Sequence, residues 1–97
     1  MKHVLKTWPQ YFERICDGSK TFEFREDDRG YQTGDTLLLR EWDPHKCRTN
    51  CRADTCPAYT GRELAAEVGF IFKAGFGVDL GDHVVMSLLI PPTEDLP

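Results

Sequence analysis

The feature that most limits the fold is the order in which helix-like and strand-like hydrophobic patterns follow each other along the chain. Apolar residues recur every three or four positions in one stretch near the start, whereas alternation and short apolar runs dominate the remainder. Side chains return to the same face about every 3.6 residues in a helix and about every 2.0 residues in a strand. The pattern therefore predicts one helix near the start and strands through most of the remaining sequence. Its 97 residues are enough for one compact core.

The first segments predict a strand and then a short helix. Residues 3–6 are typical of a strand. We expect the helix to begin after Thr7, because threonine is a suitable cap and Pro9 is tolerated in the first turn. Gly18 favours the left-handed conformation that ends a helix. Four apolar side chains at helical spacing are expected to face the core: Trp8, Tyr11, Phe12 and Ile15.

Strand patterns fill most of the remaining sequence. Residues 21–25 alternate, so that Phe22 and Phe24 lie on one side of a strand. The polar side chains of that segment lie on the opposite side: Thr21, Glu23 and Arg25. Three further strands are expected at 36–42, 64–72 and 83–90. In the second of these, the apolar alternation continues through Phe70 to Phe72.

These elements predict an α+β chain that is mainly β. About five to six short strands with one early helix fit a small barrel closed over that helix. An open α+β sheet fits the same pattern, and periodicity does not separate the two architectures.

The segment Gly18-x-Lys20-x-x-Glu23-x-Arg25 resembles the ASCH domain, a branch of the PUA-like superfamily of RNA-associated barrels. The chain also resembles a small uncharacterised family of bacteria and their phages that carries this motif. The supporting matches extend from about Lys2 to Ile90 and include Leu5-Lys-x-x-Pro9, Leu39-x-Glu41-Trp42 and Tyr59-Thr-Gly-Arg62.

The resemblance implies a small PUA-like (ASCH) pseudo-barrel of about five to six strands with one early helix. It implies a single domain over residues 1–90. Within it, the polar, cysteine-containing loop at 43–58 is interpreted as an insertion, because the resemblance does not cover it. Residues 91–97 are expected to form a flexible tail.

The motif predicts a polar cleft. Lysine, carboxylate and arginine together suit a flat polar ligand with an anionic group, and an aromatic ring beside them can stack on a base. The candidate ligand-binding residues are Lys20, Thr21, Glu23, Arg25, Arg29, Trp42 and Tyr59. A purely structural alternative remains open, in which Glu23 and Arg25 pair with each other or with Arg40 and Glu41 across the sheet.

The resemblance implies binding of RNA or a nucleotide- or nucleoside-type ligand around Lys20, Glu23 and Arg25. Some ASCH proteins are instead small hydrolases that act on N4-acetylcytidine, and ribonuclease activity is also associated with the domain. Lys20 and Glu23 would be the catalytic candidates in such an enzyme. However, Glu23 stands where the amidohydrolases have a threonine, and neither Glu63 nor Glu67 matches their catalytic glutamate.

A third hypothesis is a phage or mobile-element factor that binds a host protein. The net charge of −4 and the unusual loop favour it. The same charge argues against a protein that coats nucleic acid, so any RNA would be held at one pocket. The sequence also predicts no membrane span, a cytoplasmic location and a monomer.

The polar loop contains residue types that bind zinc, at His45, Cys47, Cys51 and Cys56. Their spacing differs from the paired C-x₂₋₄-C pattern of zinc knuckles and ribbons. No cofactor is therefore expected, and zinc, reduced thiols and a disulfide remain the alternatives for this loop.

Overall fold

The computed structural model of the chain describes residues 1–47 and 56–90. Within this part of the chain, the helices are α1 (Pro9–Cys16) and a 3₁₀ turn (Pro44–Lys46). The strands are β1 (Lys2–Thr7), β2 (Phe22–Glu26), β3 (Thr36–Trp42), β4 (Tyr59–Phe72), β5 (Ala74–Gly75), β6 (Val78–Asp79) and β7 (His83–Leu89).

The described strands form one large sheet and one small hairpin. The large sheet has the order β1-β3-β4-β7-β2, and β5 pairs with β6. β1 runs parallel to β3, whereas the other pairs in the sheet are antiparallel. The sheet curls into a half-barrel, so the predicted mainly β, barrel-like fold with one early helix is confirmed. The tail at 91–97 lies outside the described residues.

The core lies between α1 and the inner face of the half-barrel. Its buried members on the strands and the helix are Leu5, Phe12, Ile15, Leu37, Leu39, Ala66, Val68, Val84, Met86 and Leu88, and Tyr31 joins them from the segment between β2 and β3. Alternate residues of a strand point to opposite faces, which is why positions separated by two recur in this set.

The beginning of α1 differs from the prediction. Thr7 remains in β1, where it pairs with Glu41 of β3, and Trp8 caps the helix through its backbone alone. The parallel ladder extends through Thr7 and holds its side chain inside the half-barrel, only 3% exposed. The predicted Thr7 side-chain cap is therefore wrong.

The apolar face of α1 is narrower than predicted. Phe12 and Ile15 are buried, but Trp8 and Tyr11 are 45% and 48% exposed. These two rings stack on each other at 6.4 Å instead of entering the core. Gly18 follows the helix with φ at 85°, so the expected left-handed stop is confirmed.

A bulge in β4 ends the predicted alternation. Val68 pairs with Leu88 and Ile71 with Met86, so three steps along β4 match two along β7. The extra residue reverses which side chains point inward. Ile71 packs against the core, whereas Phe70 is 71% exposed. The expectation that Phe70 continues the apolar side is wrong for this reason.

A buried hydrogen bond joins the start of β1 to the residue before β3. His3 Nε2 lies 2.9 Å from Asp35 Oδ2, and the backbone N–H of Gln32 donates to the same oxygen at 3.0 Å. The contact with His3 lowers the pKa of the Asp35 carboxyl to about 2, and the Gln32 amide reinforces the shift. The carboxylate thus satisfies buried donors at one end of the half-barrel.

Among the described residues, no helix is both long and apolar enough to span a bilayer.

Candidate functional site

The half-barrel is open between its two edge strands, β1 and β2. Arginine side chains cross this opening in place of a backbone ladder. Arg25 Nη2 donates to the carbonyl oxygen of Lys6 at 2.9 Å, and Arg29 Nη1 donates to that of Val4 at 2.9 Å. An edge strand carries unpaired carbonyls at alternate residues, and these two guanidinium groups satisfy them.

Two adjoining cavities lie along this opening. The first, called the Trp42 cavity, has a volume of about 560 Å³ and is lined by Thr7, Trp8, Tyr11, Lys20, Phe22, Glu23 and Trp42. The second, called the Arg29 cavity, has a volume of about 640 Å³ and is lined by Val4, Glu26, Asp28, Arg29, Tyr31 and Tyr59. Lys6, Phe24 and Arg25 line both cavities, so the two adjoin at these side chains and are together called the cleft.

The alternation predicted for β2 is present, and its polar side faces inward. Glu23 is 6% exposed, whereas Phe22 and Phe24 are 44% and 53% exposed. The reason is the pairing of β2 with β7, which places Glu23 opposite the core residue Met86. The inner face of β2 therefore brings its polar side chains to the mouth of the half-barrel.

Glu23 holds two cations of the motif. Lys20 Nζ lies 3.3 Å from Glu23 Oε1, and Arg25 Nε lies 3.2 Å from Glu23 Oε2. Lys20 Nζ also donates to the carbonyl oxygen of Phe22 at 2.8 Å. A buried carboxylate requires such partners, because an unpaired charge inside a protein is costly. The carboxylate and its two cations form a fixed cluster at the wall of the cleft.

The structural alternative considered for Glu23 and Arg25 is therefore partly realised. The two side chains do pair with each other. Arg40 pairs instead with Glu63 at 3.1 Å, and Glu41 pairs with Arg62. β2 and β3 are not neighbours in the sheet, so a pairing of Glu23 or Arg25 across to β3 does not form.

The structure brings six of the seven predicted ligand-binding residues to the cleft. Lys20, Glu23, Arg25 and Trp42 line the Trp42 cavity, and Arg25, Arg29 and Tyr59 line the Arg29 cavity. Thr21 lines neither cavity. It is exposed, and its carbonyl oxygen accepts a backbone hydrogen bond from Leu88 at 2.9 Å. Thr21 thus supports β2 rather than the cleft.

Several cleft residues were not identified from the sequence. Lys6 lines both cavities, with its Nζ 4.6 Å from the centre of the Trp42 ring. Trp8 and Tyr11 were assigned to the core, yet they line the Trp42 cavity. The aromatic residues crowded on both sides of the motif were the signal that pointed to this wall of the cleft.

Two buried polar atoms in the wall of the Trp42 cavity have no partner. Thr7 Oγ1 and Trp42 Nε1 are inaccessible to solvent and make no hydrogen bond within residues 1–47 and 56–90. An unsatisfied buried donor costs about 1–3 kcal/mol, so native structures rarely retain one without a reason. Both atoms belong to side chains that line the same cavity.

A second polar cluster lies apart from the cleft lining. Arg62 Nε donates to Glu41 Oε1 at 2.9 Å, Thr60 Oγ1 donates to the same oxygen at 2.6 Å, and Arg62 also pairs with Glu13 of α1. The Arg62 guanidinium lowers the pKa of the Glu41 carboxyl. The cluster ties α1 to β3 and β4, which is a structural role.

The possible zinc ligands are only partly described. The sulfur atoms of Cys47 and Cys56 lie 3.6 Å apart, His45 is exposed, and Cys51 lies outside the described residues. Within residues 1–47 and 56–90, no three side chains of the metal-binding types cluster. Zinc at this loop stays a prediction.

Comparisons with known proteins place the chain in a family. Residues 2–88 match a family model described as "Domain of unknown function (DUF3850)". The chain is also 48% identical over 102 residues to a protein of Escherichia phage P2 described as "Uncharacterized 12.9 kDa protein in GpA 3'region". That alignment covers 97% of this chain and 77% of the phage protein. The chain therefore belongs to the DUF3850 family.

Proposed function

We propose that the protein binds RNA or a nucleotide-type ligand in the cleft around Lys20, Glu23 and Arg25. One observation carries the proposal: the Trp42 cavity combines aromatic rings with cations. The rings are Trp8, Tyr11, Phe22, Phe24 and Trp42, and the cations are Lys6, Lys20 and Arg25. Proteins that hold single-stranded nucleic acid use this combination, with stacking on bases and cations along the backbone.

The distribution of charge supports a local site. The chain carries a net charge of −4, yet four cations line the two cavities against three carboxylates. One of these carboxylates, Glu23, is buried between Lys20 and Arg25. An anionic ligand is therefore attracted to the cleft, while the rest of the surface repels it.

The resemblance of Gly18, Lys20, Glu23 and Arg25 to the ASCH motif supports the same function, because the PUA-like superfamily is RNA-associated. The family match and the phage relative carry no activity in their descriptions. Binding of a host protein, a cytoplasmic location and a monomeric state stay predictions.

The geometry favours binding over hydrolysis. Lys20 Nζ is committed to the Phe22 carbonyl and to Glu23, and both oxygens of Glu23 already contact cations. A catalytic lysine attacks through a free lone pair, and a general base needs an unoccupied oxygen. The contacts of Lys20 and Glu23 instead suit a rigid recognition surface.

Intrinsic fluorescence provides the test. The chain has two tryptophans, Trp8 and Trp42, and both line the Trp42 cavity. We expect a short single-stranded RNA such as hexauridylate to change the tryptophan emission and to shift amide signals of residues 18–29. Lys20→Met should weaken binding about tenfold or more, because it removes an ammonium from the cavity wall.

Lys46→Met is the matched control, since Lys46 is exposed on the 3₁₀ turn and lines neither cavity. The absence of any spectral change at millimolar RNA or nucleotide would refute the proposal. Deacetylation of N4-acetylcytidine by the protein, lost in Lys20→Met, would replace binding by catalysis as the function of the cleft.

A further inference from the structure

The cleft has two chemically distinct halves, and we infer that its ligand is a nucleobase joined to a phosphate, which spans both. The base occupies the Trp42 cavity, and the phosphate lies in the Arg29 cavity against Lys6 and Arg29. This inference rests on the proposed function and deepens it. The structure supports it through the aromatic wall and the placement of the cations.

The Trp42 cavity is suited to a flat ring with a polar edge. Its aromatic side chains provide apolar walls, and its volume of about 560 Å³ lies in the ordinary range for small-ligand sites. Lys20 also lines this cavity, and its ammonium has three donors, of which the Phe22 carbonyl and Glu23 take two. The remaining donor suits a carbonyl or ring nitrogen on the edge of a base, which a plain hydrocarbon lacks.

The cations of the cleft differ in whether protein groups already occupy them. Arg25 already contacts Glu23 and the Lys6 carbonyl, so it acts mainly as a wall. Lys6 Nζ contacts the Trp42 ring, and within residues 1–47 and 56–90 it has no carboxylate or carbonyl partner. Lys6 lines both cavities, and its flexible side chain can carry the ammonium from the Trp42 ring toward an anion in the Arg29 cavity.

The Arg29 cavity provides the second contact for an anion. Arg29 is 42% exposed in its side chain, and its Nε lies 3.9 Å from Asp28 Oδ1. Glu26 and Asp28 also line this cavity, so three cations face two carboxylates there. The excess of positive charge favours one phosphate rather than a longer polyanion.

The residues shared by the two cavities indicate the size of the ligand. Lys6, Phe24 and Arg25 belong to both cavities, so a base in one and its phosphate in the other would lie on the two sides of these side chains. A free nucleotide and a single-stranded RNA contain the same unit. Their shared chemistry is a base linked through a sugar to a phosphate.

The test compares uridine with uridine 5′-monophosphate, and adenosine with its 5′-monophosphate, by tryptophan fluorescence. We expect each monophosphate to bind about tenfold or more tightly than its nucleoside. Lys6→Gln should remove this difference, and Arg29→Gln should reduce it. Lys2→Gln is the matched control, because Lys2 lies on the same face of β1, is exposed and lines neither cavity.

Each outcome decides a separate question. Equal affinities for nucleoside and monophosphate would overturn the inference and leave the proposed function standing. Equal effects of Lys6→Gln and Lys2→Gln would also overturn it. Binding of no nucleoside, nucleotide or hexauridylate would overturn both. With 5′-phosphorylated and 5′-hydroxyl diuridylate, a preference for the phosphorylated form would identify a terminal phosphate, and equal binding an internal one.

Discussion

At the scale of single residues, Glu23 positions two of the cations of the cleft. Its carboxylate is 6% exposed and contacts both Lys20 and Arg25. Arg25 in turn reaches the Lys6 carbonyl on the opposite edge strand. One buried acidic side chain therefore positions Lys20, which precedes β2, and Arg25, which lies on β2 and crosses the opening.

We predict that Glu23→Gln destabilises the protein by roughly 1–3 kcal/mol, because the amide removes the charge that pairs with two half-buried cations. Urea unfolding measures the change. Glu26→Gln is the control on the same strand, where the side chain is exposed and the expected change is within about 0.5 kcal/mol. Equal stability of the two variants would show that Glu23 is not the organising charge.

At the scale of secondary-structure elements, the bulge at Gly69 decides which side chains of β4 point toward the core. It reverses the inward and outward sides of β4, which brings Ile71 to the core and leaves Phe70 exposed. Ser87 of β7 completes the bulge, because its Oγ accepts a hydrogen bond from the Phe70 backbone N–H at 2.7 Å. A Cβ at position 69 would lie 2.6 Å from that same oxygen.

We therefore predict that Gly69→Ala destabilises the protein by about 1–3 kcal/mol, because the new methyl group displaces the Ser87 hydroxyl from its hydrogen bond. In the double variant with Ser87→Ala, the clash is absent, so the combined loss should be smaller than the sum of the single losses. Thermal or urea unfolding of the four proteins measures this coupling. Strictly additive losses would contradict the proposed contact.

The whole molecule carries a net negative charge, yet several of its cations line one opening. The net charge is −4, whereas the cleft contains Lys6, Lys20, Arg25 and Arg29. Proteins that coat nucleic acid present cations along an extended track. Here the two cavities have volumes of about 640 and 560 Å³, which are large enough for very few nucleotides.

We predict that affinity for oligouridylates stops rising at about four nucleotides, near the lower limit of single-stranded binding sites. Titrations with lengths from two to sixteen, at one salt concentration, measure this limit. The physical reason is that phosphates beyond the cleft meet a net acidic surface. A continued rise with length would indicate a cationic track outside the two cavities.

Much of the fold was predictable from local sequence. Strand-like hydrophobic patterns located β3 and β7, helical spacing located α1, and Gly18 marked the end of the helix. The motif also identified most of one wall of the cleft, since Lys20, Glu23 and Arg25 are close in the chain. These features depend on neighbouring residues, whose backbone preferences and side-chain directions act over a few positions.

The errors share a long-range origin. Thr7 was expected to cap the helix, but the ladder to β3 holds it in β1. Trp8 and Tyr11 had the spacing of core residues, yet the side of α1 on which they lie borders the cleft. The spacing of residues shows which side chains share a face of the helix, but it does not show whether that face packs against the core or borders a cavity.

The sequence by itself determined the order of the elements, the mainly β class and the polar side of β2, because each follows from local alternation. Only the tertiary structure decided that this polar side faces inward, through the pairing of Glu23 with Met86 in β7. It also decided that Lys6 joins the site, because β1 and β2 are the two edges of one curled sheet. Pairing between distant strands sets both outcomes, and no local pattern contains that information.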